Sequence, residues 1–106
     1  MDGSVDILAE ASRLVAGDRQ ERYGPPAEDF ARTARIWSAI LGVKVTPAQV
    51  GLCMIGVKLS RETYRHQADN LVDIAGYAQA VALVHEHREV TKKRIYLASP
   101  YSAADT

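Results

Sequence analysis

Residues 46–60, TPAQVGLCMIGVKLS, decide the fold of this chain. Thr46 followed by Pro47 is typical of a helix start, because threonine caps the first turn and proline fits the first helical position. The residues that follow are apolar on nearly all sides, as in a helix at the centre of a bundle or against a partner chain. Gly51 and Gly56 lower helix propensity, and close approach of the helix backbone to a neighbour is the expected compensation. We therefore predict a helix over 47–62, the most buried of the fold.

Helical spacing of apolar residues continues on both sides of this segment. It predicts further helices near 5–16, 27–41 and 70–87, with Ser4 capping the first and Asp69 the last. The predicted inner faces comprise Phe30, Ala34, Trp37, Ile40 and Leu41 on the second helix, and Leu71, Ile74, Ala75, Ala78, Val81 and Ala82, extended by His85, on the fourth.

The remaining segments are a charged connection and a tail. Gly17–Pro26 reads as a loop, because proline removes backbone donors and restricts the residue before it. The run IYLASP at 95–100 is the only strand-like segment. The sequence thus predicts an all-α fold, a compact four-helix bundle-like domain over 1–91, followed by an extended tail over 92–106 that could pair with another subunit.

Composition limits the possible functions. The chain has 106 residues, enough for one domain with one core. Lys+Arg and Asp+Glu number 13 each, so the chain lacks the broad basic surface that non-specific nucleic-acid binding needs. Cys53 is the single cysteine, which excludes an internal disulfide and a cysteine-based zinc site. With no secretory signal and no apolar run near the ~20 residues that cross a bilayer, we expect a cytoplasmic protein without membrane partners.

We also expect a homo-oligomer, a dimer or higher. The helix over 47–62 is apolar on all sides and needs more cover than three short neighbours provide. A lone strand in the tail would likewise need a partner, because its edges leave backbone donors and acceptors unpaired.

Polar residues at helical spacing mark a first candidate site. Lys58 and Glu62 share one helix face, and Asp69, Asp73 and Tyr77 share a face of the next helix. If the two helices are antiparallel, the two sets face each other, which is how bundles build divalent-metal sites. Oxygen ligands of this kind suit Mg²⁺. The alternative is that Asp69 only caps a helix and that Lys58 and Glu62 form a solvated ion pair.

The charged segment GDRQERYGPP at 17–26 is the second candidate site. Arginine forks match phosphate oxygens, and a tyrosine ring can stack on a base. We interpret the segment as a ligand-binding loop, and the alternative is a solvated turn between helices. Its candidate ligand-binding residues are Asp18, Arg19, Gln20, Arg22 and Tyr23.

Several motifs together resemble a known family. They are GDRQERYGPPAEDF at 17–30, the later Trp37, KLSR at 58–61 and DNLVDIAGYA at 69–78. Over about residues 7–85 they resemble a family of small, uncharacterised phage and prophage proteins. The resemblance implies a viral or prophage source, and hence the host cytoplasm.

KLSRE followed by DNLVDIAGYA also resembles, more distantly, the MazG-like all-α nucleoside triphosphate pyrophosphohydrolases. In those enzymes a Glu-x-x-Glu pair and a Glu-x-x-Asp pair hold Mg²⁺ while water attacks a phosphate. By this resemblance Asp73 matches the final Asp, Asn70 replaces the preceding Glu, and Glu62 matches one acid of the first pair. Arg61 and Arg65 stand where the second acid is expected, so two of the four ligands are missing or changed, and Asp69 could substitute for one of them.

The MazG-like resemblance implies that Glu62 and Asp73 are catalytic and that both, with Asp69, hold Mg²⁺. Arg61 and Arg65, where an acid is expected, instead favour direct binding of an anion. Three functions stay open: a Mg²⁺-dependent nucleotide pyrophosphohydrolase, a non-catalytic protein that sequesters a nucleotide such as a host defence signal, and a structural or regulatory interaction module. Further ligand-binding candidates for the first two are Lys58, Arg61, Asn70 and Tyr77.

The tail KKRIYLASPYSAADT at 92–106 has a resemblance of its own. It is similar to the opening strand and loop of nucleoside 2-deoxyribosyltransferase-like domains. Only the start of such a domain is present, so the resemblance implies a link to nucleotide metabolism rather than that activity.

Overall fold

The computed structural model describes residues 5–98, with side-chain surroundings for residues 5–90. Over this range the chain forms helices alone, and residues 5–98 contain no strand, which confirms the predicted all-α class. Residues 5–98 contain one helix more than predicted. The helices are α1 (Ile7–Ala16), α2 (Asp18–Tyr23), α3 (Pro26–Leu41), α4 (Pro47–Tyr64) and α5 (Ala68–Ala98).

The long helix α5 is the scaffold of the fold. It contacts α1, α3 and α4, while α2 joins α1 to α3. The core lies where α3, α4 and α5 meet, with half-buried Trp37 and Tyr77 packed against it. Its buried members are Phe30, Ala34, Val50, Ala80 and Val84.

The start of α4 follows the predicted cap chemistry. Thr46 Oγ1 accepts a hydrogen bond from the Gln49 backbone N–H at 3.2 Å, and Gln49 Oε1 accepts one from the Thr46 N–H at 2.9 Å. This reciprocal pair satisfies two backbone donors that a helix start leaves free. At α1 the cap is Asp6 rather than Ser4: Asp6 Oδ1 accepts from the Ala9 N–H at 3.1 Å, and Ser4 lies outside the described residues.

The segment predicted as a charged loop contains helix α2. The Glu21 N–H donates to the Gly17 carbonyl at 3.1 Å, and the Gly24 N–H donates to the Gln20 carbonyl at 2.9 Å. Residues 18–23 contain neither proline nor glycine, and arginine, glutamine and glutamate are good helix formers. The break comes only at Gly24, whose positive φ of 81° redirects the chain into α3.

Helix α5 is longer at both ends than the predicted fourth helix. It begins at Ala68, so Asp69 lies in its first turn and is not its cap. It continues past residue 91 to Ala98, so the strand-like run is helical through Ala98, and residues 99–106 lie outside the described range. No glycine or proline occurs between residues 77 and 99, and continuation of the helix overrides the weaker strand preference of IYLA.

Helix α4 is not the most buried helix, contrary to the prediction. Its buried residues are Val50 and Gly51, whereas Leu52 and Leu59 are 56% and 51% exposed. The neighbours α3 and α5 cover one side of α4 and leave the opposite side uncovered. The predicted close approach is found at Gly51, where an added Cβ would overlap Cγ2 of Val81.

The predicted inner faces are right in part. On α3, Phe30 and Ala34 are buried, but Ile40 is exposed because it lies about 120° around the helix from Ala34. Leu41, the last residue of α3, is exposed as well. On α5 the buried stripe is shifted because α1 also packs against this helix. Through residue 90 its buried residues are Asn70, Val72, Ala80 and Val84, while Leu71, Ala78, Ala82 and His85 are exposed.

Candidate functional site

Asp73 is the centre of an ion-pair cluster built by three helices. Lys58 Nζ on α4 lies 2.9 Å from Asp73 Oδ2, and Arg19 Nη2 on α2 lies 3.4 Å from Oδ1. The side chains of Lys58 and Asp73 are only 16% and 17% exposed. Each oxygen of the Asp73 carboxylate therefore has its own cation in a largely shielded position.

Arg19 links this cluster to an aromatic ring. Its Nη1 lies 3.4 Å from the Tyr77 hydroxyl, and its Cζ lies 5.1 Å from the Tyr77 ring centroid. Tyr77 follows Asp73 by one helical turn, so one guanidinium reaches both. The antiparallel pairing of α4 and α5 and the turn of α2 thus bring together the predicted residues Arg19, Lys58, Asp73 and Tyr77.

Glu62 organises a second cluster at the turn between α4 and α5. Its Oε1 accepts hydrogen bonds from Asn70 Nδ2 at 3.1 Å and from the Gln67 backbone N–H at 3.0 Å, while Oε2 contacts His66 Nδ1. The hydrogen bond with His66, then those from Gln67 and Asn70, lower the pKa of Glu62 to about 2. Glu62 therefore stays ionised and ties the turn to the buried Asn70.

This pKa shift makes stability depend on pH in a defined direction. The pKa of Glu62 is lower in the folded protein than its ordinary value of 4.5, so its stabilisation is present above about pH 4.5 and is lost as the pH falls toward 2. In thermal scans we expect the Tm advantage of the wild type over Glu62→Gln to shrink as the pH falls below about 4.5. Glu89→Gln, on an exposed part of α5, is the control for charge loss. A difference that does not change with pH would contradict the assignment.

The carboxylates do not form a metal site in this arrangement. Both oxygens of Asp73 face cations, and both oxygens of Glu62 are engaged by the α4–α5 turn. Asp69 is exposed. Among the described residues, no group of three or more histidine, cysteine, aspartate and glutamate side chains could hold a metal ion. This donor set does not fit Mg²⁺, which needs carboxylate oxygens free to face it.

An aromatic cavity of about 280 Å³ opens beside Arg19 and Tyr77. Every helix contributes to its walls, which are mainly aromatic and aliphatic. We call it the aromatic cavity, and its lining residues are Val15, Arg19, Tyr23, Gly24, Pro26, Asp29, Phe30, Thr33, Trp37, Val50, Met54, Gly76, Tyr77 and Ala80.

A more open depression of about 600 Å³ lies over α4 and the start of α5. We call it the basic groove, because three of its residues are cations and only two are acids. It adjoins the aromatic cavity, since Lys58 follows Met54, and Tyr77 follows Asp73, by one helical turn. The residues that line it are Lys58, Ser60, Arg61, Tyr64, Arg65, Gln67, Asp69, Asn70 and Asp73.

The predicted ligand residues of the 17–26 segment divide into two groups. Arg19 and Tyr23 line the aromatic cavity, whereas Asp18, Gln20 and Arg22 line neither the cavity nor the groove. The helical turn of α2 explains the division, because residues at adjacent positions point in different directions.

Some residues that line the aromatic cavity were not predicted as site residues from the sequence. Trp37 and Phe30 were assigned to the core, yet both also line the cavity. Nothing in their local sequence distinguishes a cavity wall from a core position. The contact of Glu62 with His66 was missed as well, because His66 lies beyond Tyr64, the last residue of α4, where helix-face spacing no longer applies.

The fold and the site define an all-α domain in which a net-positive groove adjoins an aromatic cavity. This chain belongs to the family described as "Domain of unknown function (DUF6378)", whose model matches residues 6–86. No helix in the described part of the chain has both the length and the apolar composition needed to cross a membrane.

Two phage proteins are similar to the chain. The "Gene 55 protein" of Mycobacterium phage D29 is 36% identical over 84 residues, covering 78% of this chain and 56% of that protein. The "Gene 55 protein" of Mycobacterium phage L5 is 42% identical over 77 residues, covering 70% and 49%. The chain thus spans about half the length of these curated relatives, and no solved structure matches it. The predicted membership in a phage protein family is confirmed, while the MazG-like resemblance stays a prediction.

Proposed function

We propose that this chain binds a nucleotide or a nucleotide-like phosphate compound without hydrolysing it. The observation that supports this proposal is the placement of the basic groove directly beside the aromatic cavity, with Arg19 at their junction. A nucleotide has the same two-part character, an anionic chain attached to a flat aromatic base.

The phosphate part of the ligand would lie in the basic groove. Lys58, Arg61 and Arg65 all line it, and an arginine fork can hold two phosphate oxygens at once. Asp73 already engages Lys58 and Arg19, so an incoming phosphate competes with this carboxylate for the two cations. The competition limits affinity and favours ligands with several phosphate oxygens.

The base would enter the aromatic cavity. Trp37, Tyr23 and Tyr77 line it, and stacking on an aromatic side chain contributes about 1–3 kcal/mol per base. A volume of about 280 Å³ is at the lower end of the range for small-molecule sites, which suits a single base.

The pairing of the carboxylates favours binding over metal-dependent hydrolysis. Asp73 and Glu62, the residues matched to the MazG-like pattern, are held by cations and amide donors and are not free to hold Mg²⁺. A protein that sequesters a nucleotide needs no such acids. We further propose that it acts in the host cytoplasm, where nucleotides are available, and that it does so as a homo-oligomer.

A thermal-shift screen tests the proposal. Linear and cyclic nucleotides are compared with inorganic phosphate, each with and without Mg²⁺. A ligand at about 100 times its Kd adds about 2.7 kcal/mol to the free energy of unfolding, which raises the Tm by about ten degrees or more. We expect at least one nucleotide to do this without Mg²⁺ and to be recovered intact. No shift with any nucleotide at millimolar concentration would refute binding, and Mg²⁺-dependent cleavage would restore the pyrophosphohydrolase hypothesis.

Arg61 offers the cleanest test of the groove. It is exposed, so Arg61→Ala should leave the free energy of unfolding nearly unchanged. We expect the Kd for the nucleotide found in the screen to rise about tenfold, because a hydrogen bond to a charged group is lost. Arg88→Ala removes the same charge from an exposed part of α5 outside the groove and is the matched control. Equal Kd values for the two variants, measured by calorimetry, would place the phosphate elsewhere.

A further inference from the structure

The outer face of α4 carries no charge although it faces solvent. The outward faces of the other helices carry charged residues, for example Glu28, Arg32 and Arg35 on α3. A solvated helix face normally bears charges, so an uncharged one indicates a surface that is covered. We call it the α4 outer face, and its exposed residues are Gln49, Leu52, Cys53, Gly56, Val57, Leu59, Ser60, Thr63 and Tyr64.

Gly56 lies at the middle of the α4 outer face, and no contact within the described part of the chain explains why glycine occupies this position. At Gly51, on the inner side of the same helix, an added Cβ would overlap Val81 and lie 3.0 Å from Cε2 of Phe30. At Gly56 an added Cβ would meet no atom within 4 Å. Glycine is a poor helix former, so its presence at an open position indicates close approach of something outside this chain.

We propose that the α4 outer face packs against the same face of a second copy of this chain. The two α4 helices would run antiparallel, with the two-fold axis passing near Gly56. This inference does not depend on the proposed nucleotide site, because only Ser60 and Tyr64 of this face line the groove and none of its residues lines the cavity.

The spacing of residues around Gly56 makes the face complementary to itself. In an isologous dimer, residue i of one subunit contacts residue j of the other and j contacts i. With antiparallel helices crossing at Gly56, positions equally far before and after it face each other. Each resulting pair joins a large side chain with a smaller one or two polar side chains: Leu52 with Ser60, Leu59 with Cys53, and Gln49 with Thr63. A parallel arrangement would instead place leucine against leucine beside Gly56.

Charge also permits self-association. The net charge of the chain is zero, so two copies do not repel each other strongly. The outer face itself adds no unpaired charge that would be costly to bury. A second copy of the chain therefore suits this surface better than a charged protein or a nucleic acid.

Light scattering coupled to size-exclusion chromatography tests whether the α4 outer face forms a dimer interface. We expect the full chain to be a dimer at tens of micromolar, and Leu59→Glu to be a monomer with an unchanged helical circular dichroism spectrum. Leu8→Glu is the matched control, because Leu8 is 75% exposed on α1 and lies outside the α4 outer face. A monomeric wild type, or a Leu59→Glu variant that stays dimeric, would overturn the proposal.

Disulfide trapping in a Cys53→Ser background tests the antiparallel arrangement. A disulfide needs Cα atoms within about 7 Å, so only a position near the two-fold axis can link to itself. We expect Gly56→Cys to form a covalent dimer, Leu52→Cys alone not to, and a mixture of Leu52→Cys and Ser60→Cys chains to form a mixed one. Self-linking of Leu52→Cys, or failure of either Gly56→Cys or the mixture of Leu52→Cys and Ser60→Cys chains to link, would overturn the arrangement.

Discussion

Asp73→Asn is expected to lower the free energy of unfolding by about 2–3 kcal/mol. The change removes the charge that neutralises Lys58, 2.9 Å away, and Arg19, 3.4 Å away. Breaking a fully buried ion pair costs about 3–5 kcal/mol, and the partial exposure of this cluster places the expected cost somewhat lower. Asparagine preserves the shape of the side chain, so the loss reflects charge and not packing.

Urea unfolding of Asp73→Asn and Asp69→Asn measures this effect. Asp69 lies in the same groove but is exposed, and its replacement should change stability by no more than about 0.5 kcal/mol. Equal stability of the two variants would show that Asp73 is not the centre of the cluster.

Asp73→Asn also distinguishes between the candidate functions. If the chain binds phosphate through Lys58 and Arg19, the ligand no longer competes with a carboxylate, and its Tm shift should be larger in Asp73→Asn than in the wild type. If Asp73 instead holds Mg²⁺, the wild type should show Mg²⁺-dependent turnover that Asp73→Asn abolishes. Turnover that persists in Asp73→Asn would refute a metal-binding role for this residue.

A second large effect is expected for Phe30→Ala, which should lower the free energy of unfolding by about 3–4 kcal/mol. Phe30 is 6% exposed, lies in the α3–α4–α5 core and packs near Gly51. Its ring centroid is 6.3 Å from that of Tyr77, so truncation removes packing on both the core and the cavity side. Removal of a buried phenyl group leaves a void that the neighbouring helices fill only in part.

Two further variants serve as references for the stability loss expected in Phe30→Ala. Phe30→Leu keeps most of the volume and should cost less than about 1.5 kcal/mol. Ile36→Ala on the exposed side of α3 should change stability by about 0.5 kcal/mol or less. Denaturant unfolding measures all three, and a Phe30→Ala effect as small as that of Ile36→Ala would mean that the core lies elsewhere.

The sequence alone determined the elements that depend on neighbouring residues. The start of α4 was predicted at Thr46–Pro47, because an N-cap threonine and a proline at the first helical position act within one turn. The four-residue spacing in KLSRE and DNLVDIAGYA placed Lys58 and Asp73 on single helix faces, and a short turn made the helices antiparallel. The predicted approach of Lys58 to Asp73 follows from these local facts.

Only the tertiary structure decided which faces are covered and which distant residues meet. Arg19 reaches Asp73 because α2 is a helix packed between α1 and α3, and no local pattern specifies a partner so far along the chain. Burial of α4 on one side only depends on where α3 and α5 pack, not on the composition of α4. Periodicity identifies the residues that share a face, but the covering of that face is a property of long-range packing. For this reason Trp37 could be assigned to the interior from sequence, while its place in the wall of a cavity could not.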